Sequence, residues 1–184
     1  MKSLVNRRAK SLWLSFVLFS VFYLVFTPFQ SSAAEPGGEK PPFTIELPQG
    51  WSPAPSRYQG VSAAYALQNS GARLDISVQE AQKGEDVGSL KWEDLFYPQF
   101  DAIDIRMDAR TSIDSVPAKY CLYKVKKTPF KKQLEGSRDL MYLNYVLVKG
   151  GRLYSLTFSD DEGSFAANQP AFMKMVRTLR FDPA

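Results

Sequence analysis

Alternating apolar and polar positions dominate the chain from residue 43 onwards and predict a protein built mainly of β-strands. The period of two that marks a half-buried strand is found in Phe43–Leu47, Val61–Gln68, Arg73–Glu80 and Ile103–Thr111. Val61–Gln68 and Arg73–Glu80 predict a hairpin through Asn69-Ser70-Gly71, because Asn and Gly tolerate the positive φ of a tight turn. A further strand pair is predicted at Ala118–Lys127 and Arg138–Lys149.

Two segments near the end of the chain are apolar on both faces, which is typical of central strands. In Arg138–Lys149, one face carries Leu140, Tyr142, Val146 and Val148, and the other carries Met141, Leu143, Tyr145 and Leu147. Leu153–Phe158 follows after the Gly150-Gly151 turn and also has apolar residues on both faces, with Leu153 opposite Tyr154, Leu156 and Phe158. A strand of this kind must be covered on both sides. The pattern therefore predicts helices or long loops on both faces of the sheet.

Two helices are predicted from apolar residues that recur at helical spacing. The first follows Ser89 as N-cap, places Trp92, Phe96 and Phe100 on one face with Leu95 beside them, and is kinked or ended by Pro98. The second opens at Asp160–Ser164, with Pro170 leaving its exact start open. Its inward face is formed by Phe165, Phe172, Met175, Val176 and Leu179. A short strand over Thr178–Asp182 is expected to close the chain.

The segment Ile103–Thr111 combines an apolar face with a charged one. We expect Ile103, Ile105, Met107 and Ala109 on one side of this strand and Asp104, Arg106, Asp108 and Arg110 on the other. Alternating acids and bases indicate a solvated surface with short-range ion pairs. A charged partner is the alternative interpretation of this face.

Residues 1–34 have the anatomy of a secretory signal peptide. Basic residues at positions 2, 7, 8 and 10 precede an apolar stretch from Leu12 to Phe26, and Pro28 ends it. Ser32-Ala33-Ala34 supplies the small residues of a cleavage site, so cleavage is expected after Ala34 and the protein is expected to be periplasmic or secreted. The alternative is an uncleaved anchor, but the run is shorter than the roughly 20 apolar residues of a spanning helix. After cleavage no stable membrane span is expected.

Removal of the leader changes the charge and sets the domain organisation. The chain has 23 basic and 19 acidic residues, and four of the basic residues lie in the leader. The other 150 of the 184 residues therefore include 19 basic and 19 acidic residues, and their formal net charge is zero. Nucleic-acid binding is therefore not expected. Residues 35–42 contain three prolines and two glycines and predict a flexible lead-in. Residues 43–182 predict a single domain, large enough for a core without disulfides.

The residue types that are missing from the sequence exclude several kinds of active site. The chain has no histidine and a single cysteine, Cys121, which removes His-activated nucleophiles and Cys- or His-rich metal sites. No phosphate-binding glycine motif is present. We therefore expect no cofactor, no catalytic residue and no enzyme activity. Carboxylate chemistry, lysine chemistry and an oxygen-liganded cation remain open.

Both ends of the predicted domain resemble one protein superfamily. The opening Phe43–Trp51, a strand followed by Pro-Gln-Gly-Trp, and the close, Leu153–Ser159 with the later Leu179-Arg180-Phe181, resemble the Mog1/PsbP-like superfamily. The resemblance implies an α+β fold, an α/β/α sandwich with a mostly antiparallel central sheet flanked by helices. It also implies a binding or assembly role without catalysis, and the leader favours the bacterial envelope branch, the DcrB-like proteins. The matching positions are structural, so the resemblance assigns no functional residue.

Two charged clusters are candidate contact sites. The lysine-rich tip, Lys126, Lys127, Phe130, Lys131 and Lys132, is the candidate partner surface, with Phe130 as an apolar anchor for an anionic partner. A solvated hairpin end is the simpler interpretation of the same residues. Asp160, Asp161 and Glu162 are candidates for a Ca²⁺ site, although helix-start electrostatics also explains them. Cys121 and Trp51 are expected in the core.

Three functions follow from the sequence. The first is an exported, non-enzymatic protein that binds an unidentified envelope protein as an assembly or accessory factor. The second is a carrier of a small apolar ligand, in a cavity lined by Trp92, Phe96, Tyr142 and Tyr145. The third is a hydrolase that uses carboxylates such as Asp104, Asp108, Asp160 or Asp161. Neither the partner nor the oligomeric state follows from the sequence.

Overall fold

The structure of the protein is a computed structural model that describes residues 40–95, 103–125 and 139–182. Nine strands and two helices form in these residues. The elements are β1 Phe43–Thr44, β2 Trp51–Pro53, β3 Val61–Leu67, β4 Arg73–Glu80, α1 Trp92–Leu95, β5 Ile103–Ile113, β6 Val116–Val125, β7 Leu140–Lys149, β8 Arg152–Asp161, α2 Glu162–Thr178 and β9 Arg180–Phe181.

Seven of the strands form one antiparallel sheet in the order β2-β3-β4-β8-β7-β6-β5. The predicted antiparallel sheet is thereby confirmed, and β8 and β7 lie in its interior as their apolar residues indicated. The turn between them uses Gly150 and Gly151 at φ of 58° and 71°, which glycine adopts without steric cost. The short strands β1 and β9 pair separately and bring the two ends of the described domain together.

One face of the sheet, here called the α2 face, packs against the long helix. Phe158 of β8 lies with its ring centroid 5.0 Å from that of Phe165 and 4.9 Å from that of Phe172, both on α2. Trp51 is 6% exposed and lies 6.3 Å from the Phe158 ring, as expected for a core residue. The helix continues through Pro170. A proline inside a helix costs about 3 kcal/mol, and the burial of apolar side chains on both sides of Pro170 offsets this cost.

The opposite face, here called the α1 face, carries a smaller apolar cluster. It consists of Leu90, Trp92, Cys121, Tyr123, Val125, Tyr142, Val146 and Leu153. Lys119 lies over the Trp92 ring, with Nζ 4.4 Å from its centroid, and donates a hydrogen bond to the carbonyl oxygen of Leu90. These contacts hold the segment that contains α1 against β6. In the described residues α1 is a single turn. Most of the described chain that packs on this face of the sheet therefore has no regular secondary structure.

Strand β5 departs from the simple alternation that its sequence predicts. Ile103 and Ile105 lie opposite Val125 and Tyr123, but Met107 lies opposite Leu122 because the register shifts at a β-bulge. A bulge inserts one extra residue and reverses which face the following side chains occupy. The prediction that Ile103, Ile105, Met107 and Ala109 share one face is therefore wrong. The expected short-range pairing does occur, since Arg106 Nη2 lies 2.9 Å from Asp104 Oδ2.

Several element boundaries also differ from the predictions. The strand β2 and the two-residue turn Asp114-Ser115 were missed, and β8 runs on to Asp161, so that Asp160 and Asp161 end a strand instead of opening the helix. Asp114 and Ser115 have φ of 49° and 63°. This turn lacks the glycine that usually marks such a conformation, which is why the sequence pattern did not reveal it.

Some predicted features lie outside the described residues. These are the leader over residues 1–34, the helical residues Phe96 and Phe100, and the lysine-rich tip. Within residues 40–95, 103–125 and 139–182, no helix has both the length and the apolarity to cross a membrane.

Candidate functional site

A polar groove on the α1 face is the clearest candidate site in the described part of the chain. Its floor is formed by β8, which places Ser155, Thr157 and Ser159 on this face while Leu156 and Phe158 point into the core of the α2 face. The neighbouring strand β4 adds Ser77. The sequence interpretation of β8 as apolar on both faces is therefore wrong beyond Leu153, because the second face carries hydroxyl groups.

Asn144 of β7 lies at the centre of this floor. It stands opposite Thr157 in the register between β7 and β8, and the residue is only 4% exposed. Its Oδ1 accepts a hydrogen bond of 3.1 Å from Ser155 Oγ. No described residue is hydrogen-bonded to the other end of the amide, which is open to the groove. If the oxygen and nitrogen of the amide exchange positions, one of these two atoms still faces the groove without a hydrogen bond from a described residue.

An ion pair closes one side of the floor. Arg73 Nε lies 2.9 Å from Asp75 Oδ1 and 2.9 Å from Oδ2, and Arg73 Nη2 donates to the carbonyl oxygen of Pro55. Burial raises the pKa of the Asp75 carboxyl, and the nearby Arg73 guanidinium only partly opposes this effect. Arg73 is 5% exposed. Its charge is therefore engaged by Asp75 and Pro55 and is compensated on this side of the groove.

The walls of the groove come from the segments on either side of the sheet. Tyr58 and Val61 stand on one side, Asp94 and Leu95 stand on the other, and Gln79 lies at the end of the floor. The cavity between them has a volume of about 250 Å³. Tyr142 contributes an aromatic surface to the floor, with its ring stacked on that of Tyr123 at 5.1 Å and an interplanar angle of 7°. The cavity is thus bounded by hydroxyl, amide, carboxylate and aromatic groups.

The apolar cavity predicted from sequence does not form. Tyr142 belongs to the cluster on the α1 face together with Trp92, whereas Tyr145 packs on the α2 face, 5.8 Å from Phe172. The two tyrosines are three positions apart on one strand and must therefore point to opposite faces. The fourth predicted lining residue, Phe96, lies outside the described residues.

The candidate partner surface, Lys126, Lys127, Phe130, Lys131 and Lys132, lies outside the described residues. The residues on either side of this segment are described. Lys124, near the end of β6, makes ion pairs with Asp139 and Glu162 at 3.0 and 2.6 Å. The hydrogen bonds to Glu162 and Asp139 raise the pKa of Lys124. These pairs fix the end of β6 to the start of α2, and the lysine-rich segment follows β6 in the sequence.

Asp160, the first residue of the acidic run, is hydrogen-bonded to the start of α2. Asp160 is fully buried, and its Oδ1 accepts hydrogen bonds from the Asp161 backbone N–H and the Ser164 hydroxyl. Its Oδ2 accepts one from Asn168. In the described residues, no group of three or more His, Cys, Asp or Glu side chains is placed to hold a metal ion.

Cys121 has the environment of a packing residue. It is fully buried in β6 opposite Asn144. Burial, and secondarily the Asp108 carboxylate, raises the pKa of its thiol to about 12. The reactive thiolate is therefore scarce at neutral pH, and the expectation of a buried small hydrophobe is confirmed.

Comparisons with known proteins identify the fold. No protein-family model matches the chain, and no curated protein matches it either. Among solved structures, the chain is similar to the PsbP protein CyanoP of Synechocystis sp. PCC 6803, with a TM-score of 0.53 and 13% identity over 79% of this chain and 95% of that one.

Two further solved structures show the same arrangement. The Ran-binding protein Mog1p of Saccharomyces cerevisiae matches with a TM-score of 0.53 and 11% identity over 76% of this chain and 90% of that one. LpqN of Mycobacterium tuberculosis, described as involved in cell envelope biogenesis, matches with a TM-score of 0.52 and 11% identity over 77% and 83%. The chain therefore has the Mog1/PsbP-like fold, as its terminal motifs indicated.

Proposed function

We propose that this protein is an exported, non-enzymatic accessory factor that binds another protein of the cell envelope. The observation that carries the proposal is the fold, which it has in common with a Ran-binding protein and with a protein involved in cell envelope biogenesis. The leader anatomy of residues 1–34 supports export and cleavage after Ala34. In this proposal, residues 43–182 are one domain with helices on both faces of the sheet.

Catalysis by paired carboxylates has less support. Asp160 is tied to Ser164 and Asn168, and Asp104 forms an ion pair with Arg106. A general acid or base needs a carboxyl group within reach of a substrate, and a fully buried, fully paired Asp160 does not offer one. The complete absence of histidine from the sequence removes the usual base near neutral pH.

The lysine-rich tip is the surface that we propose for partner binding. It follows β6 directly and carries four lysines and one phenylalanine within seven residues. The ion pairs of Lys124 with Asp139 and Glu162 hold the described residues on either side of the tip in place. Holding both ends of a contact segment lowers the entropy cost of ordering it when a partner binds. The positive charge of these lysines would attract an acidic partner surface and speed its association.

The proposal is tested by reversing the tip charges in the protein's own host. Lys126, Lys127, Lys131 and Lys132 are replaced together by Glu, and complexes are isolated gently from the envelope for native mass spectrometry. We expect wild-type protein whose sequence starts at Glu35, in a stoichiometric complex with one other protein, and loss of that complex in the variant.

A matched control reverses four exposed lysines elsewhere, Lys40, Lys83, Lys91 and Lys174. This variant has the same net charge as the tip variant and should keep the complex. Equal loss in both variants would show that only net charge matters, and a complex that survives tip reversal would remove the tip from the proposal. A wild-type protein that is always recovered without a protein partner would overturn the accessory function itself.

A further inference from the structure

The groove on the α1 face has the character of a ligand site and not of an ordinary solvated sheet surface. Its central group, Asn144, is 4% exposed and leaves one end of its amide without a partner among the described residues. That end of the amide is not among the fully buried unpaired atoms of the described residues, so it is open to the cavity. A ligand with a complementary polar group would form a hydrogen bond to it on the floor of the cavity.

The hydroxyl groups around Asn144 can also form hydrogen bonds with a ligand in the cavity. No described residue is hydrogen-bonded to the side-chain oxygens of Ser77, Thr157 or Ser159, and all three line the cavity. A hydroxyl group can donate one hydrogen bond and accept others. The floor therefore presents several donor and acceptor groups, separated by the spacings of adjacent positions on β4, β7 and β8.

The charges of the groove disfavour an anionic ligand. Its lining includes two carboxylates, Asp75 and Asp94, whereas Arg73 is engaged by Asp75 and by Pro55. A second cation that acts on Asp75, Arg57, is exposed, so its attraction for an anion is weakened by solvent, and the anion would also meet the charge of Asp94. An apolar ligand is disfavoured for a different reason, because it would bury the hydroxyl groups and the Asn144 amide without hydrogen bonds.

We propose that this groove binds a small, neutral, polyhydroxylated ligand, a single sugar ring or a similar polyol. Such a molecule offers a hydroxyl partner to each of Asn144, Thr157 and Ser159, and its C–H face can lie on an aromatic ring, whose π-face is electron-rich. The volume of about 250 Å³ equals roughly eight water molecules at ~30 Å³ each. That space accommodates one sugar ring and not a long glycan. This site is separate from the lysine-rich tip and does not depend on the tip binding a protein.

The test is saturation-transfer NMR of the purified, processed protein with five separate probes, each of which carries C–H protons that the experiment detects: glucose, N-acetylglucosamine, choline, dodecanoate and methyl phosphate. We expect saturable binding of at least one of the two sugars and none of the other three. Thr157→Val keeps the side-chain shape and removes the hydroxyl, and it should weaken sugar binding roughly three- to tenfold, the effect of one neutral hydrogen bond. Asn144→Leu should abolish binding at millimolar sugar.

A matched control is Thr111→Val, the same substitution at an exposed position on β5 outside the groove, which should leave sugar affinity unchanged. Thermal melting establishes that each variant folds, and Thr157→Val decides the matter if Asn144→Leu does not fold. Failure of both sugars to bind overturns the proposal, as does sugar binding that Thr157→Val leaves intact. Preferential binding of choline would assign the groove to ammonium ligands, and preferential binding of dodecanoate or methyl phosphate would reverse the polarity argument. None of these results bears on the envelope complex.

Discussion

Asn168 lies about two turns inside α2, yet its amide reaches back to the preceding strand and donates a 2.7 Å hydrogen bond to Asp160 Oδ2. The same carboxylate accepts hydrogen bonds from Ser164 and from the backbone of Asp161. One fully buried side chain therefore fixes the direction in which the chain leaves β8 and enters the helix. It also explains an acidic run that the sequence alone leaves open to interpretation as a cation site.

Replacing Asp160 by Ala should destabilise the protein by roughly 2–4 kcal/mol, because the hydrogen bonds from Asp161, Ser164 and Asn168 to its carboxylate are lost. Urea denaturation measures the change. Asp182→Ala, at an exposed acid, is the control and should stay within about 0.5 kcal/mol of wild type. Added Ca²⁺ should not raise the melting temperature of the wild-type protein; a rise that Asp160→Ala abolishes would instead show a cation site here.

The core of the α2 face depends on Phe172. Its ring stacks on Phe158 with a centroid distance of 4.9 Å and an interplanar angle of 9°, and it is fully buried. We expect Phe172→Ala to cost about 3–5 kcal/mol, the usual range for removing a buried aromatic ring. Ile105→Ala removes a large side chain that is 48% exposed and should cost less than about 1 kcal/mol. Similar losses for the two variants in chemical denaturation would contradict this placement of the core.

Much of the fold could be predicted from the sequence because burial of the sheet follows the period of the side chains. The bounds of β4 agree with the prediction, and the two interior strands were identified by apolar residues on both faces. The bulge in β5 could not be predicted in this way. An inserted residue changes the face of Met107 without changing the sequence pattern on which the prediction depends.

The candidate groove was missed although its signal was present in the sequence. The polar residues Ser155, Thr157 and Ser159 alternate with Tyr154, Leu156 and Phe158, which is the pattern of a strand with one polar face. The apolar residues of this segment, taken alone, predicted a strand buried on both faces. The sequence does not show which residues lie beside these hydroxyl groups. Asp75 and Asn144 reach the same floor only through the pairing of β4 and β7 with β8.

The turn between β5 and β6 offers a test of backbone strain. Ser115 has a φ of 63°, a conformation that costs a residue with a Cβ roughly 1–2 kcal/mol. Ser115→Gly should therefore stabilise the protein by about 0.5–1 kcal/mol after the entropy cost of glycine is subtracted. Ser112→Gly lies in the extended part of the same hairpin and should destabilise it by a similar amount. Equal signs for the two substitutions in urea denaturation would contradict the turn geometry.

Stability should fall at alkaline pH because two buried groups hold their protons in the folded state. Burial raises the pKa of Cys121 from 9.0 to about 12 and that of Tyr145 from 10.0 to about 12. A group whose pKa is higher in the folded than in the unfolded state contributes stability below its unfolded pKa, and this contribution is lost as the pH rises towards the folded pKa. Cys121 between about pH 9 and 12, and Tyr145 between about pH 10 and 12, therefore each steepen the loss by up to about 1.4 kcal/mol per pH unit.

The free energy of unfolding, measured in urea at pH 8 to 11, gives this slope directly. Cys121→Ala and Tyr145→Phe each remove one of the two groups and should make the decline shallower, although both variants lose some stability at pH 8 through lost packing. Ile105→Ala, at an exposed side chain that does not titrate, is the control and should keep the wild-type slope. If neither core variant changes the slope, the alkaline loss comes from other groups, and the buried thiol and phenol do not control it.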